Sequence, residues 1–537
     1  MATDRATTDL NRRAGTLFMA GFPGTTPTDE ILRLIREEQL GGVILFSRNI
    51  ASRAQLRTLC LQLQTAARDA GHQYPLLIAT DQENGLVRRL GQDSPTFPGN
   101  MALGAIGAED VAYEVARATA RELLALGVNM NLAPVLDVNN NPANPVIGIR
   151  SFGEDPELVA RLGAATVRGY QEVGVITSVK HFPGHGDTGV DSHLAIPTIS
   201  ASRARLDAVE LVPFRRGIAA GADTVMIGHM RVPALEAGEP LPATISPAIG
   251  QTLLRAELGF RGVAVTDCLE MDAIARGVGV AEGAVRALAA GADLVLVSHR
   301  IDRQHASLAA VRDALASERL APERLHEALD RLDALKRRRL SWERALNPPA
   351  SAGSRPDDDA LSQRAYERST TLARDDAGLL PLRLEPEQRL LVLDWPVRDV
   401  TRAVDIPYSV EPLVVALRHH HDAVDTLTLP DEVDTAGMDT LRSALASAAA
   451  IIVVTLNAHL DSQRASLLRR VLADARPAIG VAVCNPYDAA SFPEVPTFLL
   501  TYEYSAPALR AAAEVIFGAR GATGRCPVSL TTAERLT

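Results

Sequence analysis

Short apolar runs alternate with amphipathic helical segments over the first two thirds of the chain, and this alternation narrows the possible folds sharply. The candidate strands are Gly42 to Phe46, Pro75 to Thr80, Asn129 to Pro134, Gly174 to Lys180, Thr224 to Gly228, Gly262 to Thr266 and Asp293 to Ser298. Each is followed by polar, Gly-rich or Pro-rich sequence and then by a helix such as Val111 to Leu126 or Leu158 to Val173. Strands joined by helical crossovers run parallel, with the helices covering their apolar faces. Potentially reactive residues fall at the C-terminal ends of different strands: Asp81, Lys180, His229 and Asp267. A TIM-type barrel produces that distribution, because its βα loops build a site on one face. An open doubly wound sheet is the alternative, but no G-x-G-x-x-G follows the first strand to cradle a dinucleotide.

The densest chemistry lies in Lys180-His-Phe-Pro-Gly-His-Gly-Asp-Thr-Gly-Val-Asp-Ser-His193, directly after an apolar strand. A buried strand needs only Val and Ile, so three histidines and two aspartates among turn-forming Gly and Pro mark a loop that carries function. Asp191 and His193 stand out. A carboxylate beside a histidine can fix its tautomer and raise its pKa, which suits the imidazole to general acid and base work. His181, His185, Asp187, Asp191 and His193 are also potential metal ligands. No Cys pair or His-Glu-x-x-His element accompanies them, so no metal and no cofactor is expected.

The formal net charge of -10 and pI near 5.7 argue against nucleic acid or an anionic membrane surface as partner. Cys60, Cys268, Cys484 and Cys526 are scattered without CxxC spacing, which fits neither a disulfide framework nor a zinc ribbon and suits a reducing cytoplasm. The first residues show no signal-peptide h-region, and no stretch of roughly twenty apolar residues follows, so a cytoplasmic location is expected.

With 537 residues the chain can hold at least two domains. The expected division is a barrel over 1–346, a Pro-, Ser- and Asp-rich linker over 347–360, and a C-terminal αβα sandwich over 361–537. In that second unit a helix is expected from Leu361 to Arg374, then strands near Leu390 to Leu393, Ala450 to Thr455, Ile479 to Cys484 and Thr497 to Thr501. His419, His420 and His421 read as the solvated end of a helix.

The run from Lys180 to His193 resembles the signature of glycoside hydrolase family 3, in its β-N-acetylglucosaminidase branch. Other segments agree in order: Gly41 to Ile50, Thr80-Asp-Gln-Glu-Asn-Gly85, Asn131 to Asp137, Arg150-Ser-Phe-Gly-Glu-Asp155 and Gly262 to Met271. Leu379-Leu-Pro-Leu382 and Gly524 to Leu530 resemble the start and end of the family's second domain. The resemblance implies that Asp267 is the nucleophile of a covalent glycosyl-enzyme, with a helix N-cap as its bland alternative. It implies His193 as acid/base with Asp191 as orienting partner. Asp81, Arg89, Arg150, Lys180 and His181 match positions that hold sugar hydroxyls; for Arg89 and Arg150 the alternative is a surface ion-pair residue. The chain departs from the family pattern at Asn84, Leu86, Cys268 and Glu270, and Glu270 is a rival carboxylate to Asp267.

The implied activity is a retaining exo-β-N-acetylglucosaminidase that removes terminal GlcNAc from muropeptides or chitooligosaccharides. The alternatives are a phosphorylase using inorganic phosphate, a β-glucosidase or β-xylosidase, and a catalytically silent sugar-binding protein.

Overall fold

The computed structural model describes residues 10–91, 93–189, 196–349, 355–395, 403–404, 406–429, 435–472 and 477–530. Eight parallel strands close into a barrel in sequence order: β1 (Phe18–Ala20), β2 (Gly42–Leu45), β3 (Leu77–Thr80), β4 (Met130–Asn131), β5 (Ile176–Phe182), β6 (Thr224–Ile227), β7 (Val263–Cys268) and β8 (Leu294–Val297). β1 pairs with both β2 and β8, which leaves no free edge. The expected barrel is therefore present, with one strand more than the seven apolar runs. β1 escapes a reading of periodicity because it has three residues, directly after the short turn Ala14–Leu17.

The covering helices begin and end where the sequence provides caps. Pro156–Val173 starts on Asp155, whose side chain accepts from Glu157 N, and stops at Gly174, which takes φ 106°. Below the barrel, two buried carboxylates tie strand beginnings to the last barrel helix, Pro322–Arg339. Asp223 receives Arg338 and Arg339 at 2.8 and 2.9 Å, while Asp293 receives Arg255, Arg324 and Arg331. Each carboxylate is fully buried, and the guanidinium groups around it supply the partners that a desolvated charge needs.

The second domain is a six-stranded sheet of β9 (Thr371–Asp375), β10 (Arg389–Asp394), β11 (Val424–Thr428), β12 (Ala448–Thr455), β13 (Ala478–Ala482) and β14 (Thr497–Leu500). Its order is β11-β10-β12-β13-β14-β9, parallel except for the antiparallel edge strand β9. Leu390, Val392, Ile452 and Val454 pack under Leu413, Leu417, Leu509 and Ile516, whereas Leu391, Leu393, Ile451 and Val453 face Leu441, Leu445 and Leu468. Helices thus cover both faces, as an αβα sandwich requires.

Three details differ from the sequence reading. The helix expected to run from Leu361 to Arg374 spans Pro356–Ser369, and the β-branched Thr370 and Thr371 turn the chain into β9. Its first turn falls within the residues expected as linker. The strand β11 was not anticipated. His421 is buried, with Nε2 2.6 Å from the carbonyl of Gln388, so the histidine run is solvated only at His419 and His420.

The two domains are sewn together. Met101, Ala102 and Ala105 of the barrel's Asn100–Ile106 helix are buried among Tyr487, Tyr502 and Val528 of the second domain. Glu503 accepts from Gly99 N at 3.1 Å and from Tyr366 Oη at 3.0 Å, and Asn139 Nδ2 donates to Tyr487 Oη at 2.9 Å.

Candidate active site

The C-terminal ends of the strands open into a cleft of about 480 Å³, room for a small glycoside. Asp81, Arg89, Arg150, Lys180, His181 and Asp267 all line it. Asp191 and His193 lie outside the described residues.

β5 supplies two consecutive cleft residues, Lys180 and His181. A regular strand would send neighbours to opposite faces, but the pairing of β5 with β6 shifts register between Val179 and Phe182. β7 does the same at the other wall: its pairing with β8 shifts between Val265 and Cys268, and Asp267 and Cys268 both reach the cleft.

Lys180 is 2% exposed, and its ammonium contacts Asp81 Oδ1 and Glu83 Oε1, each at 2.7 Å. Arg150 grips the same Glu83 in a fork, Nε to Oε2 at 2.9 Å and Nη2 to Oε1 at 2.8 Å. Burial pushes the Glu83 carboxyl up, but the charges and hydrogen bonds of Arg150 and Lys180 outweigh it and hold the group well below the usual carboxylate range. Burial likewise acts against the charge on Lys180, and Asp81 with Glu83 reverses the balance and raises its pKa. The result is a rigid wall of paired charges whose remaining donor and acceptor directions face the cleft.

His181 is fixed from beneath. Asp137, fully buried, lies 2.7 Å from His181 Nδ1 and also accepts the backbone N–H of His181 and of His185. Arg150 Nη2 stands 3.4 Å from His181 Nε2. A guanidinium can only donate, so Nε2 accepts and the ring proton sits on Nδ1, toward Asp137. Burial raises the Asp137 pKa less than His181 and His185 lower it, and the net shift is downward.

The stem of the loop that leads toward Asp191 and His193 is pinned. Asn144 Nδ2 donates to the carbonyls of His185 and Gly186, both at 2.9 Å. A Cβ at Gly186 would fall 1.7 Å from Val138 O, so only glycine passes there. His185 is pushed down to about 4, chiefly by burial, with Asp137 opposing; its Nδ1 lies 2.6 Å from Thr188 Oγ1. It is a neutral strut of the stem.

Arg89 and Arg150 are 7% and 9% exposed, which removes the surface ion-pair alternative for both. Arg89 Nη1 donates to Ala403 O at 3.0 Å, and Ala403 itself lines the cleft, so the second domain reaches the site. Asp267 sits at the end of β7 with Oδ1 2.7 Å from Cys268 N. The next helix, Asp272–Ala275, has Met271 at its N-cap, so Asp267 does not cap it. Glu270 is committed elsewhere: its carboxylate accepts from His299 N at 2.6 Å and Arg300 N at 3.1 Å, tying the β7 loop to the β8 loop. Asn84 takes φ 69°, a left-handed position that glycine or asparagine supplies at low cost.

Glu83 and Asp137 are the site residues that the sequence reading did not single out. Both lie within segments that carried the resemblance, and both sit just past a strand end, a signal that a carboxylate beside Asp81 or after Asn131 to Pro134 offers.

Residues 10–335 match the Glycosyl hydrolase family 3 N terminal domain. The chain is 33% identical to a protein named beta-hexosaminidase A from Pseudoalteromonas piscicida, over 94% of this chain and 92% of that one. A glycoside hydrolase family 3 β-N-acetylglucosaminidase from Paenibacillus sp. str. FPU-7 superposes with a TM-score of 0.91 at 42% identity, covering 98% of this chain and 99% of that chain. A fungal multi-domain β-N-acetylglucosaminidase gives a TM-score of 0.91 at 40% identity; this chain covers 61% of its length.

Proposed function

The chain belongs to glycosyl hydrolase family 3, and from that premise we propose that it is a retaining exo-β-N-acetylglucosaminidase acting on terminal GlcNAc of muropeptides or chitooligosaccharides. The observation that carries this reading is the cleft in which Asp267 faces the wall of Asp81, Glu83, Lys180 and Arg150. That wall presents fixed, charge-compensated partners for neutral vicinal hydroxyls, and Asp267 stands within the same cleft with its carboxylate at a strand end.

In the proposed reaction, an Asp267 oxygen attacks the anomeric carbon as the bond to the aglycone oxygen breaks. His193, oriented by Asp191, gives the leaving oxygen its proton. Water then attacks the glycosyl-aspartate, and His193 takes back a proton as the ester C–O bond breaks. Two inversions return the starting anomeric configuration. Arg89, Arg150, Lys180, His181 and Asp81 hold the sugar and tighten on it as the ring flattens.

The proposed setting is the cytoplasm. The four cysteines are free, two of them buried, which suits a reducing compartment; fractionation of cells producing the protein checks this. A panel of aryl glycosides of GlcNAc, glucose, xylose and GalNAc, assayed with and without phosphate, tests the activity. The reading expects GlcNAc hydrolysis with retention by NMR and no sugar phosphate. Glucosyl preference, inversion, or a phosphorylated product would replace it.

A further inference from the structure

On the wall opposite Lys180, the two positions where the chain departs from the family pattern beside Asp267 meet a residue from the next loop. Cys268 and Glu270 leave the end of β7, and His299 lies just past β8; one ligand atom from each falls within 4.8 Å of the others. Cys268 Sγ and Glu270 Oε2 are 3.9 Å apart. Donor atoms of a tetrahedral zinc site, at bonds of about 2.0 to 2.3 Å, stand roughly 3.3 to 3.8 Å from one another. The cluster is therefore about 1 Å from coordination geometry, and the His299 ring, which leans on Phe46 at 5.3 Å, belongs to the one exposed residue of the three.

The geometry points to a binding site for a borderline-soft divalent cation, of which Zn²⁺ is the type, formed by Cys268, Glu270 and His299, whose occupation shuts the cleft.

The scaffold is already built. The Glu270 side chain is 4% exposed, and the backbone N–H groups of His299 and Arg300 fix its carboxylate, so little ordering remains to be done on binding. Each carboxylate oxygen retains a lone pair for a metal after accepting one N–H. One sulfur, one imidazole nitrogen and one carboxylate oxygen suit Zn²⁺ or Co²⁺ and not the hard cations Ca²⁺ and Mg²⁺. The surrounding charges are close to balanced: Asp267 and Asp272 line the same cleft, with Arg276 3.1 Å from Asp272, while Arg48 lines it too and Arg303 lies 3.9 Å from Glu270. As the metal–sulfur bond forms, the thiol releases its proton to solvent. Three protein ligands leave a fourth position toward the cleft. The ligands come from two loops about thirty residues apart, which is why no spacing motif announces them.

The closing of the cleft rests on the reading of Asp267 as nucleophile, since a dication beside that carboxylate would pair with it and fill the sugar's place; the binding itself does not. Co²⁺ titrated into the metal-free full chain should give thiolate-to-cobalt charge-transfer absorption and tetrahedral visible bands at one equivalent. Cys268→Ser should abolish the charge-transfer band, and His299→Gln should keep it while weakening affinity at least about tenfold. Melting curves of both variants, compared with the parent, check that each is folded. No band at one equivalent, or a band that survives in Cys268→Ser, overturns the site. In parallel, Zn²⁺ should inhibit aryl GlcNAc hydrolysis, reversibly on adding a chelator, and Cys268→Ser should escape that inhibition. Inhibition that persists in Cys268→Ser, or bound metal without inhibition, overturns the closing of the cleft. If the metal-free chain cleaves no glycoside at all, the functional reading fails while the cobalt spectrum still decides the site.

Discussion

Replacing Glu83 with Gln removes one charge from the middle of the sugar-binding wall with almost no change of shape. The carboxylate accepts from Arg150 twice, at 2.9 and 2.8 Å, and pairs with Lys180 at 2.7 Å, with its side chain 3% exposed. Removing one partner of a buried ion pair costs about 3 to 5 kcal/mol, because the surviving charges stay desolvated. Gln keeps one acceptor oxygen and Asp81 remains near Lys180, so the lower end, about 3 kcal/mol at pH 7, is expected. The pH dependence adds an independent handle. The folded-state pKa of Glu83 lies below its unfolded value of 4.5, so the stabilisation is fully present above that pH and is lost as pH falls toward the depressed value. Urea unfolding of both proteins should show a gap that is constant near neutrality and narrows by about 1.4 kcal/mol for each pH unit below the unfolded pKa. With Arg150 and Lys180 loosened, kcat/KM on aryl GlcNAc should fall by roughly 30- to 150-fold, the equivalent of about 2 to 3 kcal/mol. A variant within about 0.5 kcal/mol of the parent at pH 7, or a gap that stays constant into acid, would refute the argument that these cations are held through Glu83.

Asp267→Asn should abolish nearly all turnover while the melting curve stays in place, and a slow fluorinated sugar should label Asp267 in the parent; a label on Glu270 by mass spectrometry reverses the assignment. His193→Ala should slow natural glycosides strongly and cost far less in the first step with a nitrophenolate leaving group, with a pre-steady-state burst; equal losses and no burst make His193 a binding residue. Asp293→Asn leaves Arg255, Arg324 and Arg331 without their shared carboxylate beneath the barrel and should destabilise by about 3 to 5 kcal/mol in urea, with kcat of the folded fraction unchanged; an altered kcat would show that this face communicates with the cleft.

The barrel was legible because strands buried on both faces must read as continuous apolar runs, and the intervening helices carry a different period. β1 and β11 were not, for different reasons: β1 has three residues, and Val424–Thr428 has only Val424 buried, with half-buried and exposed Asp, Thr and Leu after it, which composition does not distinguish from loop. The residues around the cleft were visible as unusual chemistry at strand ends. Their partners were not. Asp81 announces itself by position, but that Glu83, two residues on, holds Lys180 from a strand two places away in the barrel depends on closure in three dimensions, which no window of sequence contains. Likewise the commitment of Glu270 to His299 N and Arg300 N is a contact between loops, and it is this contact that separates it from Asp267.

The register shifts at the ends of β5 and β7 have a bearing on how such a protein tolerates change. In most loops one inserted or deleted residue is absorbed by slack. Where two neighbouring side chains must both face inward, one deletion takes a functional group away and turns its neighbour toward the surrounding helices. Laboratory libraries that vary length should therefore find this chain abruptly intolerant within the few residues that carry Lys180 and His181 or Asp267 and Cys268.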